Sequence, residues 1–204
     1  LGSYASTDGQ FGKWPRADKE LLAQFHEGII VFTGCPSGAV QTRLRLGQWD
    51  EAVAEAAQLR DIFGAENFYV EVMDHGIDIE RRTHRQVLEI AKLMNAPLVA
   101  TNDAHYVKRD DRKIQDALLC INSGSRINDP DRFKFDGDGY YIRSSDEMRS
   151  LWSELPSACD STLEIAERCD VHFTTTTEGA NYMPDFPVPE GEDKTSWFIK
   201  EVER

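Results

Sequence analysis

Apolar positions along the chain switch between a strand period and a helix period. The stretch Glu27-Gly28-Ile29-Ile30-Val31-Phe32-Thr33-Gly34 is short, rich in β-branched residues and bounded by glycines, which predicts a buried strand. Trp49–Phe63 follows with Val53, Ala56, Leu59 and Phe63 at helical spacing, and Gly64 is placed to end that helix. Asn67-Phe68-Tyr69-Val70-Glu71-Val72-Met73 again has a strand pattern. A helix is predicted over about 79–94, where Val87, Ile90, Ala91 and Met94 recur at i, i+3, i+4 and i+7. Pro97-Leu98-Val99-Ala100-Thr101 is one more short buried strand.

This succession is a βαβ unit with the roughly 30-residue repeat of a parallel crossover. It predicts an α/β fold on a parallel sheet, open or closed into a barrel. Chemistry on such a sheet sits where strands end and loops begin, at the carboxyl edge. Two stretches leave that edge: Thr33-Gly34-Cys35-Pro36-Ser37-Gly38 and Thr101-Asn102-Asp103-Ala104-His105-Tyr106.

Further along, Ile114, Ala117, Leu118 and Ile121 form one helical stripe. Arg132-Phe133-Lys134-Phe135, Asp136-Gly137-Asp138-Gly139 and Tyr140-Tyr141-Ile142-Arg143 predict a β-hairpin with a glycine-rich turn. Ser144 with Glu147 three residues on fits a capping box, opening a helix with Met148, Leu151, Trp152 and Leu155 on one face. A last helix is predicted over 158–169, after Pro156. Beyond His172 a threonine run and Pro184, Pro187 and Pro189 predict a linker leaving the domain. The expected boundaries are therefore 1–172 for the α/β domain and 173–204 for a linker and the start of another region.

Composition narrows the class. Of 204 residues, 40% are apolar and 29% charged, the mix of a globular protein. No apolar run approaches the ~20 residues of a membrane span, and Leu1 to Arg16 lacks the basic-then-apolar pattern of a secretory signal. The cysteines Cys35, Cys120, Cys159 and Cys169 form no CxxC pair, so free thiols and a cytoplasmic location are expected. A net charge of −13 argues against strong nucleic-acid binding by this segment alone, because phosphates are gripped mainly by Lys and Arg. With no initiating Met before Leu1, and a stop inside an apparent helix at 200–204, both ends are expected to be cuts in a longer chain.

Asp103-Ala104-His105 is the sharpest local feature. A carboxylate and an imidazole two residues apart at a strand end can turn into one cavity, and both suit Zn²⁺ or Mn²⁺. The alternative is that Asp103 caps the next turn and His105 is a satisfied loop histidine. Cys35, between Gly34 and Pro36, is a candidate metal ligand or nucleophile, against a small buried apolar role that is the commoner one for an isolated cysteine. Gly38 is expected to open a helix whose amides could hold a phosphate. His75, in Asp74-His75-Gly76, is expected to be a surface or capping residue. His26, His84 and His172 fall in contexts that suggest solvated positions. Asp136-Gly137-Asp138-Gly139 fails as a calcium loop, because Tyr140 and Tyr141 occupy places that need a ligand and a glycine.

Taken in order, Gly34-Cys35-Pro36-Ser37-Gly38, Tyr69-Val70-Glu71-Val72-Met73-Asp74-His75-Gly76 and Ala100-Thr101-Asn102-Asp103-Ala104-His105-Tyr106 resemble the second half of the PHP (polymerase and histidinol phosphatase) domain. The version they resemble is that of the α subunits of bacterial DNA polymerase III, including the Phe133–Phe135 and Tyr140–Tyr141 region. Ala166-Glu167-Arg168-Cys169 and Asn181-Tyr182-Met183-Pro184-Asp185-Phe186-Pro187 resemble the junction into the polymerase thumb and palm.

The resemblance implies part of a distorted β/α barrel with divalent metal ions, zinc or manganese, at its carboxyl edge. It carries Cys35, Asp103 and His105 as metal ligands, and a 3′–5′ exonuclease activity. For the parent protein it implies DNA-templated DNA synthesis with magnesium at a site outside this chain. The partners implied are primer-template DNA, dNTPs and replisome subunits such as a sliding clamp, with no membrane. No complete set of catalytic residues is expected within the fragment, so neither polymerisation nor nuclease activity is expected of it alone. Two alternatives stand beside this reading. The domain could be a vestigial brace and docking module, or the chain could be a stand-alone PHP-type phosphoesterase.

Overall fold

The computed structural model describes residues 1–179 and 185–204, which separate into two compact units, Leu1–Arg168 and Cys169–Arg204. In the first, a short helix α1 (Gly2–Thr7) leads into an antiparallel ribbon of β1 (Gln10–Phe11) and β2 (Trp14–Pro15), then α2 (Lys19–Gln24). There follow β3 (Val31–Phe32), α3 (Ala39–Arg45), α4 (Trp49–Phe63), β4 (Phe68–Val72), α5 (Asp78–Met94) and β5 (Leu98–Ala100). Helices α6 (Arg112–Ser123), α7 (Ser145–Leu151) and α8 (Pro156–Arg168) complete the unit.

The strands form a parallel sheet in the order β3-β4-β5, with Val31 opposite Phe68 and Val70 opposite Leu98. The βαβ expectation is met, and the fold is α/β. Every residue of the central strand β4 is buried, as a strand covered on both faces requires. Helix α5 turns Val87, Ile90, Ala91 and Met94 into the core, the same four positions that its spacing marked. Fully burying a side chain such as Ile90 contributes about 1.5–3 kcal/mol. Val40 and Leu44 of α3, Ala52 and Ala56 of α4, and Ala158 and Cys159 of α8 close the same core. Helix α4 stops at Gly64 (φ 85°), and α5 at Asn95, held left-handed at φ 49°.

Two expectations change. The stretch 27–34 pairs only at Val31–Phe32, so the predicted strand is mostly connection. Among the described residues 132–143 form no hairpin. The backbone groups that would have paired with each other are taken by the chain after β5: the N–H groups of His105 and Tyr106 donate to the Tyr140 carbonyl at 2.8 and 3.3 Å, and Ile142 N–H donates to Val107 at 3.3 Å. Tyr141 thus makes a lone parallel bridge to Tyr106. Among the described residues the parallel sheet has three strands and is open. The stripe Ile114, Leu118 and Ile121 on α6 faces solvent, and Cys120 is that helix's buried residue.

The second unit contains a 3₁₀ turn (Thr176–Glu178) and helix α9 (Lys194–Glu203). Asp193 caps α9, accepting from Ser196 N at 2.8 Å. The Asn181-Tyr182-Met183-Pro184 part of the junction motif lies outside the described residues. Among the described residues no helix is long and apolar enough to cross a membrane.

Candidate metal site at the carboxyl edge

Glu71, near the end of β4, ties the neighbouring strand ends together. Its carboxylate accepts from Thr101 Oγ1 at 2.6 Å, and its N–H donates to Thr33 Oγ1 at 2.9 Å. Burial raises its pKa, the hydrogen bonds from Thr101 and the Gly34 amide oppose that, and the charge of Asp103 raises it again. Gly34 in turn accepts at its carbonyl from Gln41 Nε2 at 3.1 Å, and Gln41 accepts from Thr83 Oγ1 at 3.1 Å. The loops that follow β3 and β5 are therefore fixed to β4 by buried hydrogen bonds.

After β5 the chain turns sharply. Asp103 has φ 39°, in the left-handed region, and its Oδ1 lies 3.3 Å from His105 Nε2. Their side chains keep 40% and 35% exposure, so the pair opens to solvent. Behind it, the His105 ring rests on Phe135 at 4.5 Å and meets the edge of Tyr140 at 5.9 Å. Asn102 donates from Nδ2 to the carbonyls of Gly139 and Tyr141 at 2.9 and 2.6 Å, while its Oδ1 is buried with no donor.

A carboxylate oxygen and an imidazole nitrogen are both suitable ligand types for a divalent ion. Two ligands held tetrahedrally at about 2.0–2.2 Å from one zinc stand about 3.4 Å apart, close to the separation of Asp103 and His105. The two are adjacent donors of suitable type, and Asp103 does not cap the turn of a following helix.

Cys35 is half-buried and free of disulfides. It follows Gly34 (φ 85°), and its carbonyl accepts the Gly38 N–H at 2.8 Å. That bond occupies the first amide expected to be available for a phosphate, and α3 runs for only seven residues. Among the described residues no group of three or more His, Cys, Asp or Glu stands close enough to share one ion. The structure brings Asp103 and His105 together and leaves Cys35 on the loop after β3, across β4 from them.

His75 is the residue whose place the sequence misjudged. It is not at the surface: its side chain is 1% exposed, and Nδ1 lies 2.6 Å from Oε1 of Glu80, itself 6% exposed. Nε2 lies 2.9 Å from the carbonyl of Asn102, and the ring stacks on Tyr140 at 4.0 Å and 12°. Both ring nitrogens face oxygen acceptors, so each is placed to donate a hydrogen bond. Burial lowers its pKa, but the bonds to Glu80 and Asn102 and the charge of Glu80 outweigh burial and the repulsion of Arg143, so the net shift is upward. A histidine followed five residues later by a glutamate in a helix's first turn is the signal that could have found it. The other histidines divide: His172 is exposed near Glu178 at 3.8 Å, whereas His26 bonds Ala23 O at 2.7 Å and His84 stacks on Trp152 at 6.0 Å, both half-buried.

Residues 1–75 match the PHP domain model, which places Cys35 and His75 within the match and Asp103 and His105 after it. A PHP match over this stretch fits the α/β fold. Over all 204 residues the chain is 54% identical to the DNA polymerase III subunit alpha of Mycobacterium tuberculosis, and 52% identical to that of Saccharopolyspora erythraea. It is 36% identical over 202 residues to the same subunit of Treponema pallidum. The chain belongs to the DNA polymerase III α-subunit family. It spans 17% of the length of the Mycobacterium and Treponema relatives, so it carries one segment of that architecture.

Proposed function

We propose that this chain is part of the catalytic α subunit of a bacterial replicative DNA polymerase, and that its PHP region is a metal-dependent 3′–5′ exonuclease site. The observation that carries the polymerase reading is 54% identity over an alignment that covers all 204 residues. Residues 1–172 are assigned to the PHP domain, as part of a distorted β/α barrel completed by other strands of the full subunit. Residues 173–204 are assigned to the passage into the thumb and palm.

Divalent metals are general to PHP domains and DNA polymerases. Asp103 and His105 would hold zinc or manganese, with Cys35 contributing from the loop after β3. A metal bound there would lower the pKa of its water to ~7 and supply hydroxide for phosphodiester hydrolysis. The chain's own residues prepare that chemistry. Glu71 and Thr101 fix the strand end, Phe135 and Tyr140 back the His105 ring, and the exposed faces of Asp103 and His105 leave room for a 3′ terminus. The parent protein would bind primer-template DNA, dNTPs and replisome subunits such as a sliding clamp, and use magnesium at a polymerase site outside this chain.

A second reading, the PHP region as a brace without turnover, is favoured by one observation: only two of the donors meet among the described residues. Metal analysis and a 3′–5′ exonuclease assay on the full-length protein separate the readings. Bound metal with digestion supports the nuclease, and bound metal without digestion supports the brace.

A further inference from the structure

His75 stands behind the Asp103–His105 loop and touches both of its shoulders. Its Nε2–H donates to the carbonyl of Asn102, the residue just before Asp103, at 2.9 Å. Its ring lies flat on Tyr140 at 4.0 Å, and the Tyr140 carbonyl accepts the His105 N–H at 2.8 Å. The Asn102 amide reaches the carbonyls on either side of Tyr140, those of Gly139 and Tyr141. His75 is itself immobilised, because Glu80 takes its Nδ1–H at 2.6 Å and its backbone N–H at 2.7 Å. A Cβ at Gly139 would crowd Arg143 Nη2 at 2.7 Å and would stand in ordinary contact with His75 Cδ2 at 3.4 Å.

Asp103 needs such support. A non-glycine residue at φ 39° sits in a sparsely populated conformation and stays there only where its surroundings impose it. The neighbours that impose it are Asn102 on one side and the Tyr140-anchored His105 on the other, and His75 contacts both anchors from a site screened from solvent.

We propose that His75, pinned by Glu80, is a positioning residue that sets the Asp103–His105 pair at metal-binding separation. The role rests on the reading of Asp103 and His105 as ligands. It is a supporting interaction one residue removed from the ligands, where loss of a partner weakens metal affinity by about 10-fold.

The test measures zinc affinity of the full-length α subunit by competition with a chelating dye. The wild type is compared with His105→Ala, His75→Gln and Glu80→Gln, each checked for a cooperative thermal transition. The expected result is loss of the zinc that His105→Ala removes, and a roughly 10-fold weaker affinity in folded His75→Gln and Glu80→Gln. Glu80→Gln leaves His75 in place and decides the matter alone if His75→Gln does not fold. Wild-type affinity in a folded Glu80→Gln variant, with zinc lost in His105→Ala, overturns the positioning role and leaves the ligand reading intact. Wild-type affinity in His105→Ala overturns the ligand reading and the positioning role together.

Discussion

His75 Nδ1 lies 2.6 Å from Glu80 Oε1, and the two side chains are almost wholly withdrawn from water. A buried pair of this kind adds little net stability, but removing one partner strands the other's charge. Glu80→Leu is therefore expected to destabilise the protein by roughly 3 kcal/mol, read from denaturant unfolding. A double variant with His75→Leu as well should recover part of that loss, because no charge is then left unpaired.

The same pair sets a pH dependence. His75 in the folded state binds its proton more tightly than the ordinary value of about 6.5 found in an unfolded chain. Its contribution is complete below about pH 6.5 and is lost as pH rises through the raised folded value. Unfolding midpoints should fall across that window, and His75→Gln should remove this part of the slope.

Glu71 behaves in the opposite sense to a stabilising carboxylate. Burial and the charge of Asp103 raise its pKa, so ionising it works against the fold as pH rises above the ordinary carboxylate value. Glu71→Gln keeps an acceptor for Thr101 and should change stability at neutral pH by less than about 1 kcal/mol. Glu71→Ala leaves the Thr101 hydroxyl without its partner and should cost about 1–3 kcal/mol.

At the start of α7, Glu147 is held down to about pKa 2 by the Tyr141 hydroxyl at 2.5 Å, and by the Ser144 amide and hydroxyl. Stability from this cluster is present above the ordinary carboxylate value and is lost as pH falls toward 2. Ser144→Ala, which removes the cap, should cost about 1 kcal/mol in thermal unfolding.

Gly34→Ala tests the turn before Cys35. The added methyl has open space, its nearest neighbour being Gly38 Cα at 3.8 Å, so the cost is conformational: φ 85° disfavours any side chain. A loss of about 1–2 kcal/mol is expected from chemical denaturation.

Periodicity made the framework legible. Helix α4 runs over Trp49–Phe63 as its apolar spacing requires, and the buried face of α5 is the one that Val87, Ile90, Ala91 and Met94 mark. Both patterns are local, and tertiary packing agrees with them. The tyrosine segment is different: it has strand-like composition, but its hydrogen bonds go to residues 102–107, distant in sequence, and no hairpin forms. The site divides the same way. Asp103 and His105 are two residues apart, so their meeting could be read from the chain. The role of His75 depends on Glu80 in a helix and on a carbonyl and a tyrosine from two other segments, a conjunction invisible in a one-dimensional pattern.

Removal of His105 bears most directly on whether Asp103 and His105 hold a metal used to hydrolyse a 3′ terminus. The most direct measurement is metal content and 3′–5′ exonuclease rate of the full-length α subunit carrying His105→Ala, with polymerisation assayed in parallel. Bound metal and 3′ digestion are expected to be lost while polymerisation continues. Digestion at the wild-type rate, with metal retained, would contradict that expectation.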